Sequence, residues 1–80
     1  MPAPYTPDDQ QIRDRRDVGA RILSLRRQAD LTQERLGERA GLDRRTVGRI
    51  ENGLVPATID QLSAIARTIG VPLRRLFWDE

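Results

Sequence analysis

The feature that most constrains the fold is the segment 31–53, LTQERLGERAGLDRRTVGRIENG, in which a glycine separates two short amphipathic stretches. Thr32 can cap the N-terminus of a first helix, with Leu31 and Leu36 at the two positions of a hydrophobic staple. Gly41 then stands where a chain leaving a helix often needs a left-handed residue. The segment therefore predicts a short helix that ends at Gly41 and is followed directly by a turn.

The stretch after the turn carries the same signals. Asp43 can cap a second helix, Leu42 and Val47 form another staple pair, and Gly53 stands where a second left-handed terminus is expected. This helix is predicted over about residues 44–52. Two short helices joined by a three- to four-residue turn that contains glycine have the geometry of a helix-turn-helix, whose second helix lies in the DNA major groove.

The second helix has one apolar and one cationic face. A step of 100° per residue places Thr46, Val47 and Ile50 on the side that faces a core. The other side carries Arg45, Gly48, Arg49 and Asn52, with Arg44 beside them. Most charged helix faces are simply solvated, and this interpretation stays open for the face taken alone. Together with the glycine turn, the cationic face favours contact with nucleic acid.

These residues resemble the helix-turn-helix of the lambda-repressor-like (Xre/Cro-type) family. The matching positions are Thr32-Gln33-Glu34, Leu36, Ala40-Gly41, Val47 and Arg49-Ile50-Glu51-Asn52-Gly53. The resemblance extends from about Val18 to Phe77 and implies an all-α domain of five helices. It also implies a sequence-specific transcriptional regulator that binds double-stranded DNA as a homodimer. The expected mode of action is repression, through the major groove of a palindromic operator.

The resemblance assigns roles to residues of these two helices. At the edges of the bases we expect Arg44, Arg45 and Arg49. At the DNA backbone we expect Thr32, Gln33, Thr46 and Asn52. Gln33 is also expected to brace the second, recognition helix. Arg26 and Glu51 are expected to form a structural ion pair that holds the first helix of the domain to the end of the recognition helix.

Two glycines depart from the family pattern. Gly37 stands where the family commonly has alanine, which costs about 1 kcal/mol of helix propensity. Gly48 lies on the DNA side of the recognition helix and contributes no side chain to base contacts, although it could let the helix sit closer to the groove floor. The base preference of relatives is therefore not transferred to this chain.

The composition excludes several kinds of site. The 80 residues contain no cysteine and no histidine, which excludes disulfides, zinc sites with those ligands and Cys/His or Ser/His catalysis. We expect no enzyme, no metal and no cofactor. There is no apolar run of membrane-spanning length and no signal peptide. A soluble protein of the bacterial cytoplasm is expected, associated with the nucleoid when bound to DNA.

The rest of the domain predicts a helical scaffold. A first helix over about residues 17–29 carries the apolar stripe Val18, Ile22, Leu25 and Ala29. A fourth helix starts at the capping box 58–61, ends at Gly70 and carries the apolar stripe Ile59, Leu62, Ile65, Ala66 and Ile69. Pro72 suits the first turn of a short fifth helix, which carries Leu73, Leu76 and Phe77.

The chain is expected to divide into an N-terminal extension, residues 1–16, and the DNA-binding domain, residues 17–80, with the helix-turn-helix at 32–52. The first five residues are proline-rich and expected to be flexible, whereas Thr6 and Pro7 with the acids that follow them are typical of a helix start. Two interpretations of residues 7–16 stay open. One is a helix, and the other is an arm that touches the DNA backbone through Arg13, Arg15 and Arg16.

Exposed apolar residues give a second set of alternatives. The candidate dimer contacts are Leu54, Val55, Phe77 and Trp78. The sequence is equally consistent with an alternative in which Phe77 and Leu76 close the core and Trp78 covers an edge of the core. A protein-interaction module of the same fold that does not bind DNA is the alternative function, with the docking residues Leu23, Leu54, Val55 and Trp78. Among DNA-binding regulators, a restriction-modification controller, an antitoxin and a phage-type repressor all stay open.

Overall fold

A computed structural model describes residues 4–78 as four α-helices and one 3-10 turn. The helices are α1 (Asp9–Gln28), α2 (Gln33–Ala40), α3 (Arg44–Glu51) and α4 (Ile59–Ile69). The all-helical prediction is confirmed, and residues 4–78 contain no strand. The flexible start predicted for residues 1–5 falls largely on residues 1–3, which lie outside the described residues.

The predicted fifth helix is wrong in kind, because Leu73–Leu76 form a 3-10 turn instead of an α-helix. Pro72 precedes the turn, and its carbonyl accepts a hydrogen bond from the N–H of Arg75 at 3.0 Å. So short a segment favours bonds between residues three apart, because an α-helix needs a longer run to offset its nucleation cost. Leu76 is fully buried, so this turn still closes the core.

α1 is one continuous helix of 20 residues, about 30 Å long at 1.5 Å per residue. It begins at Asp9, about two turns before the start predicted near Asp17. The cap is Asp8 and not Thr6: the Asp8 carboxylate accepts a bond from the N–H of Gln11 at 2.8 Å, and the Gln11 side chain accepts one from the N–H of Asp8 at 2.9 Å. The helical alternative for residues 7–16 is the one observed.

The turn between α2 and α3 depends on Gly41, which has φ 76°. This left-handed residue lets the N–H of Leu42 reach back to the carbonyl of Gly37 at 2.8 Å and close the helix end. The return of the chain brings the Leu42 carbonyl so near to α2 that a Cβ at position 37 would lie 2.5 Å from it. Glycine at position 37 therefore provides space for the turn, and an alanine there requires the backbone to shift.

The core lies between α1, α3, α4 and the 3-10 turn, with α2 packed against α3 and α4. Its buried side chains are Ile22, Leu25, Leu36, Val47, Ile50, Leu62, Ile65, Ala66 and Leu76. In the stripes predicted for the first and fourth helices, Val18 and Ile69 are half-buried against this core and two members are exposed. Ala29 is exposed because it caps the end of α1. Ile59 is 63% exposed because it begins α4, where a side chain leans toward the N-terminus and past the core.

Candidate nucleic-acid interface

The C-terminal end of α3 is held to α1 by a buried ion pair. Nε of Arg26 donates to Oε2 of Glu51 at 2.6 Å, and Nη2 of Arg26 donates to Oε1 of Glu51 at 3.0 Å. Nη1 of Arg26 also donates to the carbonyl of Leu31 at 2.9 Å, in the loop between α1 and α2. The bidentate geometry fixes both the distance and the relative orientation of α1 and α3.

Gln33, the first residue of α2, joins the same cluster. Its Nε2 donates to Oε1 of Glu51 at 2.9 Å, so one carboxylate connects α1, α2 and α3. One amide N–H of Gln33 is used in this bond, which leaves a second N–H available on a half-buried side chain. The Gln33 side chain lies over Gly48, where a Cβ would be 3.6 Å from Nε2. The space left by the absent side chain at position 48 is therefore bordered by Gln33.

The outer face of α3 is open. The side chains exposed along it are Arg44, Arg45, Arg49 and Asn52. Asn52 is the C-cap residue of α3, and Thr46 is half-buried near its start. The opposite face is buried through Val47 and Ile50. The helix therefore presents a cationic surface in a fixed orientation, because its other side is packed into the core.

The N-termini of α2 and α3 are capped on the same open side. The hydroxyl of Thr32 accepts a bond from the N–H of Arg35 at 3.0 Å, and the carboxylate of Asp43 accepts one from the N–H of Thr46 at 2.7 Å. This backbone hydrogen bond is the main cause that lowers the pKa of Asp43 from its ordinary value of 3.8, and the hydroxyl of Thr46 and the charge of Arg45 lower it further. Asp43 is therefore ionised at neutral pH.

A polar cleft lies where these N-termini meet α1. Arg44 lines it together with Thr32, Gln33 and, from α1, Leu23 and Arg27. The N-terminal N–H groups of α2 and the two arginines favour an anion in this cleft, and the carboxylate of Glu34, which also lines it, opposes them. Arg27 was not identified from the sequence. Its position one residue after Arg26, at the end of α1 that meets the helix-turn-helix, is the signal that could have found it.

The predicted dimer contacts are divided between two faces of α1. Val55 lines a mainly apolar groove of about 250 Å³ with Val18 and Tyr5, and Leu54 beside it is 67% exposed. Phe77 lines a cleft on a different face of α1 and its ring centroid lies 6.4 Å from that of Trp78. Phe77 is 40% exposed, so Leu76 closes the core without it. Leu23 lies in the polar cleft, apart from the groove.

The described residues contain neither a helix that is long and apolar enough to cross a membrane nor a cluster of acidic residues able to hold a metal ion. What they do contain is two short helices at a glycine turn, with a cationic outer face on the second. This arrangement defines a helix-turn-helix protein of the DNA-binding type. The HTH_3 helix-turn-helix family model matches residues 22–76, and the chain belongs to this Xre/lambda-repressor-like family of DNA-binding transcriptional regulators.

Solved structures of the same fold agree with this assignment. The restriction-modification controller protein C.AhdI from Aeromonas hydrophila is 32% identical, with a TM-score of 0.79 over 81% of this chain and 98% of that one. A hypothetical transcription factor NHTF from Neisseria is 26% identical, with a TM-score of 0.77 over 98% of this chain and 86% of that one. The DNA-binding domain of BldD is 25% identical, with a TM-score of 0.74 over 82% of this chain and 96% of that one. No curated protein sequence matches the chain significantly.

Proposed function

We propose that this protein is a transcriptional repressor that binds a palindromic operator as a homodimer, with α3 as the recognition helix in the major groove. The observation that carries the proposal is the outer face of α3. Its three arginines are exposed on a helix whose inner face is fixed by the core and by a buried ion pair. An exposed basic face on a rigidly placed helix is what insertion between two phosphate backbones requires.

The positions of the side chains suggest how contacts are divided. Arg44 and Arg45 stand in the first turn of α3, where recognition helices contact base edges. Arg49 lies one turn further along, at a base or at the backbone. Contacts with the phosphates are assigned to Thr32, Gln33, Thr46 and Asn52. Because one N–H of the Gln33 amide is already bonded to Glu51, a phosphate bound by the other N–H would be held by a pre-positioned donor.

We propose a homodimer because the contact of one protomer with DNA is small. One recognition helix contacts only a few base pairs, and two copies on half-sites about 34 Å apart supply the rest. Exposed apolar residues flank the loop after α3, where Leu54 is 67% and Ile59 is 63% exposed. We propose this loop as the dimer contact nearest to the DNA, with Val55, Phe77 and Trp78 as the further candidates. Repression then follows from occupation of promoter DNA.

Among the subtypes, we favour a restriction-modification controller. The similarity to C.AhdI, at 32% identity over nearly all of that chain, supports this choice. A gene for a DNA methyltransferase next to the gene for this protein would agree with it, whereas a neighbouring toxin gene would indicate an antitoxin. We also propose that the protein acts in the bacterial cytoplasm, at the DNA that it regulates.

The proposal is tested by enrichment of a random duplex pool on the purified protein at near-physiological salt, followed by sequencing. Recovery of a palindrome with half-sites one helical turn apart is expected, because a twofold dimer requires it. Sedimentation of the complex with the recovered duplex should show two protomers per site. A single protomer per specific site would exclude the dimer, and a pool without enrichment would exclude sequence-specific binding by the protein alone.

A further inference from the structure

The N-terminal half of α1 has no role in the proposed site so far. Residues 9–21 form the first part of this helix and precede the segment that the family model matches. The sequence left open whether arginines in this region belong to an arm that touches DNA. In the structure this region is a helix and not a flexible arm. The packing of α1 therefore determines which of these arginine side chains lies next to α3.

Arg16 is the residue that lies at the end of the recognition helix. It packs on Gly53, the buried residue that follows the C-cap Asn52 and has φ 69°. A Cβ on Gly53 would lie 2.7 Å from Cγ of Arg16 and 2.9 Å from its Cα. This close approach of two backbones places the stem of Arg16 directly beside the terminus of α3, while the residue as a whole remains exposed.

A second approach one turn along α1 makes this placement rigid. Gly19 is buried against the carbonyls of Ile50 and Glu51, and a Cβ there would lie 2.5 Å from the Glu51 oxygen. The ion pair of Arg26 with Glu51 then fixes the helix at a third point. α1 therefore cannot slide or rotate past the end of α3 without breaking these contacts.

The other three arginines of residues 9–21 have other neighbours, and Arg21 lines the cleft at Phe77. Arg13 donates to the side chain of Gln10 at 3.0 Å. Arg15 lines the apolar groove together with Val18, Val55 and Ile50 of α3, about 100° around α1 from Arg16. Within residues 4–78, no hydrogen bond or ion pair engages the guanidinium of Arg16.

The aspartates of the N-terminal half of α1 offset its positive charge in the sequence, but in the structure they lie on faces of α1 other than that of Arg16. Asp14 lines the groove and accepts a bond from Gln10 at 2.8 Å. Asp17 lines the cleft at Phe77. Of the remaining acids, Asp9 lies two turns before Arg16, about 10 Å along the helix. The charge beside Gly53 is therefore that of Arg16.

We infer that Arg16 is a further DNA-backbone contact, which binds a phosphate at the C-terminal end of the recognition helix. The inference rests on the proposed function. The polar cleft at Thr32 lies at the N-terminal ends of α2 and α3, whereas Arg16 lies at the opposite end of α3. A recognition helix seated in the major groove has a phosphate backbone on each side, so contacts at both of its ends fix its depth and register without adding sequence preference.

The test is the variant Arg16→Gln in the full chain. Its affinity is measured for the operator recovered from the pool and for a scrambled duplex. The salt concentration is varied over about 50–300 mM, a range wide enough to detect the loss of about one phosphate contact. Affinity for both duplexes should fall by the same factor, about fivefold at 0.15 M salt. The slope of log K against log salt should decrease by about 0.9. Arg16→Lys should restore most of the slope, because it keeps the charge.

Arg39→Gln is the matched control, since Arg39 is an exposed arginine in the last turn of α2, at the opposite end of that helix from Thr32. It should leave the affinity and the salt slope unchanged. An Arg16→Gln variant that matches the wild type, while the wild type binds its operator, would overturn this inference and leave the proposed function intact. An equal loss in Arg39→Gln would also overturn it, as a general charge effect. A wild type that binds no duplex would overturn both.

Discussion

The two faces of α3 use the same kind of side chain in opposite ways. On the inner side, Arg26 of α1 is 7% exposed and is bonded to Glu51, which is 4% exposed. On the outer side, Arg44, Arg45 and Arg49 are exposed to solvent. A buried guanidinium requires a partner because desolvation of an unpaired charge is costly, whereas an exposed one keeps its water until a phosphate or a base replaces it.

This difference shows that the number of arginines does not locate a binding surface. The inner arginine contributes orientation, and the outer ones contribute charge for a ligand.

The largest effect is expected for Glu51→Ala, which leaves Arg26 buried without a countercharge. The free energy of unfolding should fall by about 3–5 kcal/mol, measured by urea denaturation. The matched control is Glu38→Ala, which removes the partner of Arg35 in a pair at 3.7 Å with both side chains more than half exposed. Its effect should stay below about 1 kcal/mol. Equal losses in the two variants would contradict the distinction between a buried and an exposed pair.

Gly19 of α1 and Gly48 of α3 should respond to alanine in opposite directions. Gly19→Ala forces a Cβ against the carbonyls of Ile50 and Glu51, so it should destabilise the fold by about 1–3 kcal/mol. Gly48→Ala places a Cβ at ordinary contact distance from Gln33 and should stabilise α3 by up to about 1 kcal/mol, the difference in helix propensity. Urea denaturation measures both, and a destabilised Gly48→Ala variant would show that the outer face is more constrained than the structure indicates.

On the outer face, Arg45→Ala should affect binding and not folding. Discrimination between the operator and a duplex changed at one base pair should fall by about 1–3 kcal/mol, while the free energy of unfolding stays within about 0.5 kcal/mol of wild type. Competition titrations with the two duplexes measure the first quantity. Gln33→Ala is the comparison, because loss of a backbone contact should weaken both duplexes alike. A loss of discrimination in Gln33→Ala, with none in Arg45→Ala, would reverse the assigned roles.

The smallest effect concerns the cap of α3. Because folding lowers the pKa of Asp43 from 3.8, its charge stabilises the folded state fully above pH 3.8, and this contribution is lost as the pH falls through the lower folded-state value. Asp43→Asn keeps a side chain that caps well but does not titrate there. The wild type should therefore lose its advantage in Tm over Asp43→Asn as the pH falls through 3.8 and below. Thermal unfolding at several pH values checks this, and a constant difference would exclude the charge as its cause.

Much of the helix-turn-helix could be predicted because its signals are local. The cap residues Thr32 and Asp43 and the left-handed Gly41 act within one helical turn, and the structure has them in these roles. The end of α1 was predicted to within one residue, near Ala29, whereas its start was placed near Asp17 instead of Asp9. The left-handed Asp30 after that end, with φ 57°, was not predicted, because an aspartate tolerates this region without requiring it. The 3-10 turn at Leu73–Leu76 was missed because short apolar segments have no clear period.

The sequence by itself determined the family, the helix boundaries around the turn and the division of α3 into an apolar and a cationic face, since each depends on spacing and on residues that interact within a few positions of each other. Only the tertiary structure decided that Gln33 bonds to Glu51 and that Gly19 and Gly53 are contact points for α3 and α1. It also decided that Arg16 packs on Gly53, whereas Arg15 lines the groove and Arg13 bonds to Gln10. Except for the bond of Arg13, these contacts join residues far apart in the chain, and they depend on the relative rotation of packed helices, which a local pattern does not specify.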